Sequence, residues 1–170
     1  MSTAAPPAPK DTHTASPRST ATFTPASEID IRHALGGYIA FLVGAECSDG
    51  AWSLTEHLLP ARTRGAAPHH HRATTECFYV LEGALTMRLG NESVLASRGS
   101  CTVVPPGVTH GFANDADEPV RFIAISSPGG HEEFLRELIA LAQREESWPP
   151  SDPRELLEIA ARHDTYYQPC

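Results

Sequence analysis

Apolar and polar positions alternate with a period of two through most of the middle of this chain. GYIAFLV (37–43) reads as a strand ended by the turn ECSDG. AWSLTEHLLP gives a second strand, with Trp52, Leu54, Glu56 and Leu58 on one face and Ser53, Thr55, His57 and Leu59 on the other. FYVL, ALTMRLG, SVLASRG, SCTVVPPG, HGFAN and VRFIAISSP follow, separated by turns rich in Gly, Pro and Asn. Seven or more short strands with no helix between them predict an antiparallel sandwich or barrel. Upstream, SEIDIRHAL (27–35) fits either a strand through Ile29 and Ile31 or a short helix capped by Ser27 or Asp30. After the last strand the period becomes helical. HEEFLRELIALAQREE places Phe134, Leu138, Leu141 and Ala142 along one stripe, with Leu135 and Ile139 beside it. Asp152 reads as an N-cap, with Pro153 at the first position of a second helix, RELLEIAARHD. Both helices are expected on the outside of the β unit, and TYYQPC is a short tail.

Composition adds boundaries to that picture. Residues 1–26 are rich in Pro, Ala, Ser and Thr, and beyond Met1 hold one large apolar residue, Phe23. Such a segment cannot offset its ordering entropy by burial, so it is expected to be disordered or to act as an arm. The division is an N-terminal segment (1–26), a β-barrel domain (27–128) and a C-terminal helical extension (129–170). A formal net charge of −8 with no basic run argues against nucleic acid and anionic membrane surfaces as partners. No run of eighteen apolar residues and no apolar leader are visible, which gives a cytoplasmic expectation. Cys47, Cys77, Cys101 and Cys170 are scattered and read as free thiols. Cys77 and Cys101 are expected to be small buried residues, with Cys77 facing away from Glu76.

The candidate chemistry lies in HHHRATTECFYVLEG (69–83) and PPGVTHGFAN (105–114). His69 and His71 share a strand face; Glu76, Phe78 and Val80 share another; His110, Phe112 and Asn114 share a third. If all three faces look inward, three imidazoles and one carboxylate meet in an apolar cavity and suit a first-row divalent ion. His70 then points the other way. The pattern HxH(x4)E(x6)G is met by His69, His71, Glu76 and Gly83; G(x5)PxG(x2)H(x3)N is met by Gly99, Pro105, Gly107, His110 and Asn114. Fifteen residues separate Gly83 from Gly99.

These two motifs resemble those of the cupin superfamily, and the chain is similar to its small quercetin 2,3-dioxygenase-like members. The first motif departs once: Thr63 stands where the family has a leading glycine, and Gly65 is displaced by two. SSPGGHEEFLREL is similar to the PxGFEEF-like helix start of such proteins. The resemblance implies an all-β cupin barrel (a double-stranded β-helix, or jelly roll) with the two C-terminal helices outside. It implies His69, His71, Glu76 and His110 as ligands of one divalent ion per chain, with Glu76 a ligand or a catalytic base. Fe(II) is the first expectation among Fe, Ni, Mn, Co, Cu and Zn. Phe78, Phe112 and His57 are candidates for a substrate pocket, as is Arg88 if it faces inward rather than solvent, and Met87 for packing.

Three functions compete. One is an oxygenase that takes a small organic substrate and O2, plausible in bacterial secondary metabolism. The second is a non-redox isomerase, decarboxylase or polyketide cyclase on the same ion. The third is a small-molecule-binding module. Open sheet edges lead to the expectation of a homodimer.

Overall fold

The computed structural model describes residues 21–34 and 36–168. The disorder expected for the N-terminal segment falls mostly outside these residues. From Ala21 the chain is exposed, with Phe23 88% accessible, until a 3-10 turn at Ala26–Glu28. Within the ambiguous 27–35 stretch, Ser27 and Glu28 belong to that turn and Asp30–Ala34 is a strand. β1 (Asp30–Ala34) pairs antiparallel with β2 (Gly37–Val43), setting Asp30 opposite Phe41 and Ala34 opposite Gly37. Cross-strand pairing therefore wins over the local capping signal.

The next strands are β3 (Ser53–Leu59), β4 (Thr63–Arg64), β5 (His69–His70), β6 (Thr75–Glu82), β7 (Ala84–Leu89) and β8 (Glu92–Ser97). They continue as β9 (Cys101–Val104), β10 (His110–Asn114) and β11 (Val120–Ser127). β12 (Tyr166–Tyr167) is the last described strand, in the stretch expected to be a tail. One six-stranded sheet runs β1-β2-β3-β11-β6-β9; the other runs β12-β5-β10-β7-β8, with β4 also on β10. This is the expected jelly-roll barrel. Between the sheets lie Phe78, Val80, Leu85, Met87, Val104, Val120 and Phe122, supplied by the inward positions of each alternating strand. The β6–β7 turn depends on Gly83. It holds φ at 74°, and a Cβ there would come within 2.6 Å of the Pro119 carbonyl oxygen.

Helices α1 (His131–Ala142) and α2 (Arg154–Arg162) lie outside the barrel. They make a second core with Phe41 of β2, from Phe134, Leu135, Ile139, Leu141, Leu156 and Ile159. Burying each such side chain contributes about 1.5–3 kcal/mol. Glu137 on α1 ties the helices together, meeting Arg162 at 2.5 Å and His163 at 2.8 Å. α2 begins one residue later than expected. Pro153 is its cap, and Asp152 Oδ1 accepts the Arg154 N–H at 3.1 Å.

Two positions of the barrel wall settle earlier expectations. Arg88 takes the solvated of its two alternatives and leaves the pocket candidates, because Leu85 and Met87 of β7 fill the inner positions and parity sends Arg88 out. Cys101 is exposed and Cys77 half-buried, because they sit on the outer face of edge strand β9 and its neighbour β6. Their Sγ atoms are 3.5 Å apart, away from Glu76 as expected. Burial and the neighbouring thiol push Cys77 up to about 11.

Candidate metal centre

His69 closes the gap between two strands of one sheet, facing His110 directly in the β5–β10 pairing. His71 follows β5, and a backbone bond of 2.7 Å from the Gly107 N–H to the His71 carbonyl joins the two motif loops. Glu76 is near the start of β6, in the opposite sheet, between Ser126 and Val104. The ligand set thus spans the barrel interior. All four side chains are buried, and their ligand atoms lie within 4.8 Å of one another. Ring centroids are 4.3 Å apart for His69 and His110, 5.0 Å for His69 and His71, and 5.3 Å for His71 and His110.

Thr63, at the departure from the first motif, pairs with Asn114 through β4. The close approach is made by Gly65 instead, where a Cβ would stand 2.5 Å from the Phe112 ring. Asn114 organises loops rather than the cluster. Its Nδ2 donates toward the carbonyls of Leu59, Pro60 and Glu118 at 2.9–3.1 Å, and its Oδ1 accepts the Ala116 N–H.

Hydrogen bonding tests whether the donor set fits a cation. The Nδ1 atoms of His69, His71 and His110 face the carbonyl oxygens of Ala67, Asp164 and Val108 at 2.8, 2.9 and 3.0 Å. A carbonyl only accepts, so each Nδ1 carries the proton and a neutral ring leaves a lone pair on Nε2. Yet Nε2 of His71 and of His110 stand 3.0 and 2.7 Å from Oε2 of Glu76, which is also an acceptor. Lone pairs at that distance repel unless a proton or a metal ion lies among them. The buried cluster can therefore bind one metal ion, with Nε2 of each histidine and a carboxylate oxygen as donors.

The electrostatics show the same competition between a proton and a cation at the cluster. Burial works against a charged Glu76, but its contacts with His110 and His71 overcome it and hold the carboxyl well below its usual range. Burial, reinforced by His110, pushes His69 down to about 3 and keeps it neutral as a ligand must be. For His71, burial is outweighed by the Glu76 hydrogen bond and charge, and its value rises.

Of the proposed pocket residues, Phe78 and Phe112 stand beside the cluster, their rings 5.7 Å apart, and Phe78 lies 6.2 Å from His110. His57 faces inward, stacked on Phe122 at 4.9 Å and bonded to Thr55 at 2.9 Å. Burial pushes it down to about 4. His70 points away from the cluster and stacks on Tyr166. Arg88 takes no part.

The sequence reading missed His131. It is the first residue of α1, its side chain is 11% exposed, and its ring packs on His71 at 5.2 Å. Its Nε2 stands 3.6 Å from Glu76 Oε1. A signal was present: the PxGFEEF-like helix start has phenylalanine where this chain has His131. A cavity of about 250 Å³ lies beside it, lined by Thr74, Pro128, Gly130, His163 and Asp164 among others.

The chain is similar to known proteins in sequence and in fold. A family model described as the cupin domain matches residues 55–126. An uncharacterized protein of Streptomyces coelicolor is 31% identical over 93 residues, covering 55% of this chain and 81% of that relative. An uncharacterized protein of Methanocaldococcus jannaschii is 30% identical over 76 residues, covering 45% of this chain and 60% of the relative, less than two thirds of its length. Among solved structures, KdgF from Halomonas sp. superposes with a TM-score of 0.58 at 21% identity, covering 67% of this chain and 99% of its own. The polyketide cyclase RemF from Streptomyces resistomycificus gives 0.53 at 19% identity, covering 62% of this chain and 78% of its own. At these identities the structural matches show the fold.

Proposed function

This chain belongs to the cupin superfamily, and from that premise we propose that it is a metal-dependent enzyme acting on a small organic molecule. His69, His71, His110 and Glu76 are its ligands, Fe(II) its working ion, and oxygenation its reaction. The observation that carries the metal reading is the meeting of Glu76 Oε2 with the Nε2 atoms of His71 and His110, whose outer nitrogens are committed to carbonyls. A metal ion among these atoms relieves that contact while leaving all three rings neutral.

When bound, Fe(II) supplies a place where an anionic substrate and O2 meet. The chain does the rest. Phe78, Phe112 and Phe122 form an apolar wall that keeps water from the reacting atoms. Glu76 takes a substrate proton at its carboxylate when it is not held as a ligand. His57, neutral and half-buried, orients a polar group of the substrate from the β3 side. The cavity beside His131 is the route of entry. The working form is a cytoplasmic homodimer, paired through edge strands such as β8 and β9, where Leu95 and Val103 stand exposed.

A second reading has its own support. His131 beside Glu76 makes a pair suited to moving protons without redox chemistry, as isomerisation, decarboxylation or cyclisation requires. RemF, a polyketide cyclase, shares the fold. Oxygen uptake by iron-loaded protein, measured over a panel of enolic, catecholic and thiol substrates, separates the two. The oxygenase reading predicts uptake matched to product; full turnover under argon, supported by Zn(II), would establish the second.

A further inference from the structure

Two of the clustered imidazoles take their orientation locally. His69 and His110 donate from Nδ1 to the carbonyls of Ala67 and Val108, each two residues upstream. His71 differs, because its Nδ1 donates to the carbonyl of Asp164, 93 positions away. Asp164 lies beyond the 55–126 segment matched by the cupin family model.

Asp164 also grips the loop that joins His71 to Glu76. Its carboxylate accepts the N–H groups of Arg72, Ala73 and Thr74 at 2.9, 2.8 and 3.0 Å, and the Thr74 hydroxyl at 3.0 Å. Four donors converging on one carboxylate hold that loop in a single shape. The flanking residues extend the grip. Tyr166 and Tyr167 pair with His70 and His69, and the Arg72 guanidinium lies 4.0 Å over the Tyr166 ring. The Gln168 N–H donates to the Pro68 carbonyl at 3.0 Å, and its Nε2 to Thr109 Oγ1 at 2.8 Å, next to His110. One short segment after α2 thus touches the chain beside each of the three histidines.

We infer that residues 164–168 form a clasp that sets the metal-binding geometry, with Asp164 as the positioning residue that orients His71 and shapes the 72–74 loop. This rests on the metal-centre reading. An outer partner that fixes a ligating imidazole commonly accounts for 10- to 100-fold in metal affinity, and the same scale, about 10- to 100-fold, applies here. The coupling is reciprocal: an ion held by His71 stabilises the docked clasp as much as the clasp stabilises the bound ion.

The test uses the full chain, stripped of metal and titrated with Co(II) against a competing chelator. Asp164 has φ 56°, so glycine removes the loop-gripping carboxylate without backbone strain and keeps the carbonyl that accepts from His71, and asparagine keeps the backbone tolerance and one acceptor oxygen. Because the carbonyl that meets His71 survives, Asp164→Gly tests the grip on the 72–74 loop: it is expected to bind Co(II) more weakly than the wild type, by up to about 10-fold, with an unchanged far-UV spectrum, and Asp164→Asn to fall between them. In the wild type, Co(II) should slow hydrogen exchange at the amides of Arg72, Ala73, Thr74 and Gln168. Wild-type affinity in Asp164→Gly, or exchange at those amides indifferent to Co(II), overturns the clasp while leaving the metal centre standing. If Asp164→Gly fails to fold, the wild-type exchange result decides alone. A wild type that binds no Co(II) overturns the metal centre itself, and the clasp with it.

Discussion

The Nε2 atom of His131 stands 3.6 Å from Oε1 of Glu76, the carboxylate oxygen not in contact with His71 or His110. At that distance the pair is not a hydrogen bond, and a small shift or one water would complete it. Oε2 serves the ligand cluster, and Oε1 faces a residue outside both motifs. His131→Phe restores the aromatic residue of the related helix start and removes the polar partner. It is expected to keep its full metal content and lose about 10- to 100-fold in kcat/KM. Unchanged turnover in this variant would show that His131 only packs.

Acid sensitivity follows from the buried imidazoles. His57 lies at about 4 and His69 at about 3, both below the ordinary 6.5. From pH 6.5 downward the unfolded chain takes up protons at these rings and the folded chain does not. Their contribution to stability is therefore full above pH 6.5 and is lost as pH falls toward 4. His71, raised, acts in the opposite sense and is favourable below 6.5. Thermal melts of metal-free protein should show Tm falling from pH 6.5 to 4, with a shallower fall in His57→Leu. Parallel profiles for the two proteins would contradict this account of His57.

Asn114, buried at 1% exposure, closes the loops after β3 and β10 through one amide group. Replacing it with leucine leaves buried carbonyls of Leu59, Pro60 and Glu118 without that donor. The expected cost is about 1–3 kcal/mol in urea denaturation, with metal binding retained in the folded fraction. Loss of metal from well-folded Asn114→Leu would instead mark Asn114 as part of the ion's support.

Strand parity placed Glu76 and His110, because a period of two leaves each side chain only two directions, whereas His71 follows β5 and was legible through the motif resemblance. The same rule, applied to β7, would have sent Arg88 outward once Leu85 and Met87 were placed inside. Tertiary docking explains what the sequence left obscure. His131 reaches Glu76 through the docking of α1, and beyond the exchange of phenylalanine for His131 nothing local to GGHEEF specifies that contact. Asp164 and the two tyrosines of β12 form contacts across more than ninety residues, where periodicity carries no information. Asp30–Ala34 went to strand for a similar reason, through a partner in β2 that the local capping residues could not announce.

The central claim is that three histidines and one glutamate hold one metal ion. Elemental analysis of freshly purified protein tests it most directly, with wild type compared to His69→Ala and His110→Ala. The account predicts close to one equivalent of a first-row metal per chain in the wild type and near zero in both variants, each still folded by circular dichroism. A wild type without metal, and unable to take up Fe(II), Co(II) or Zn(II) on reconstitution, would contradict it.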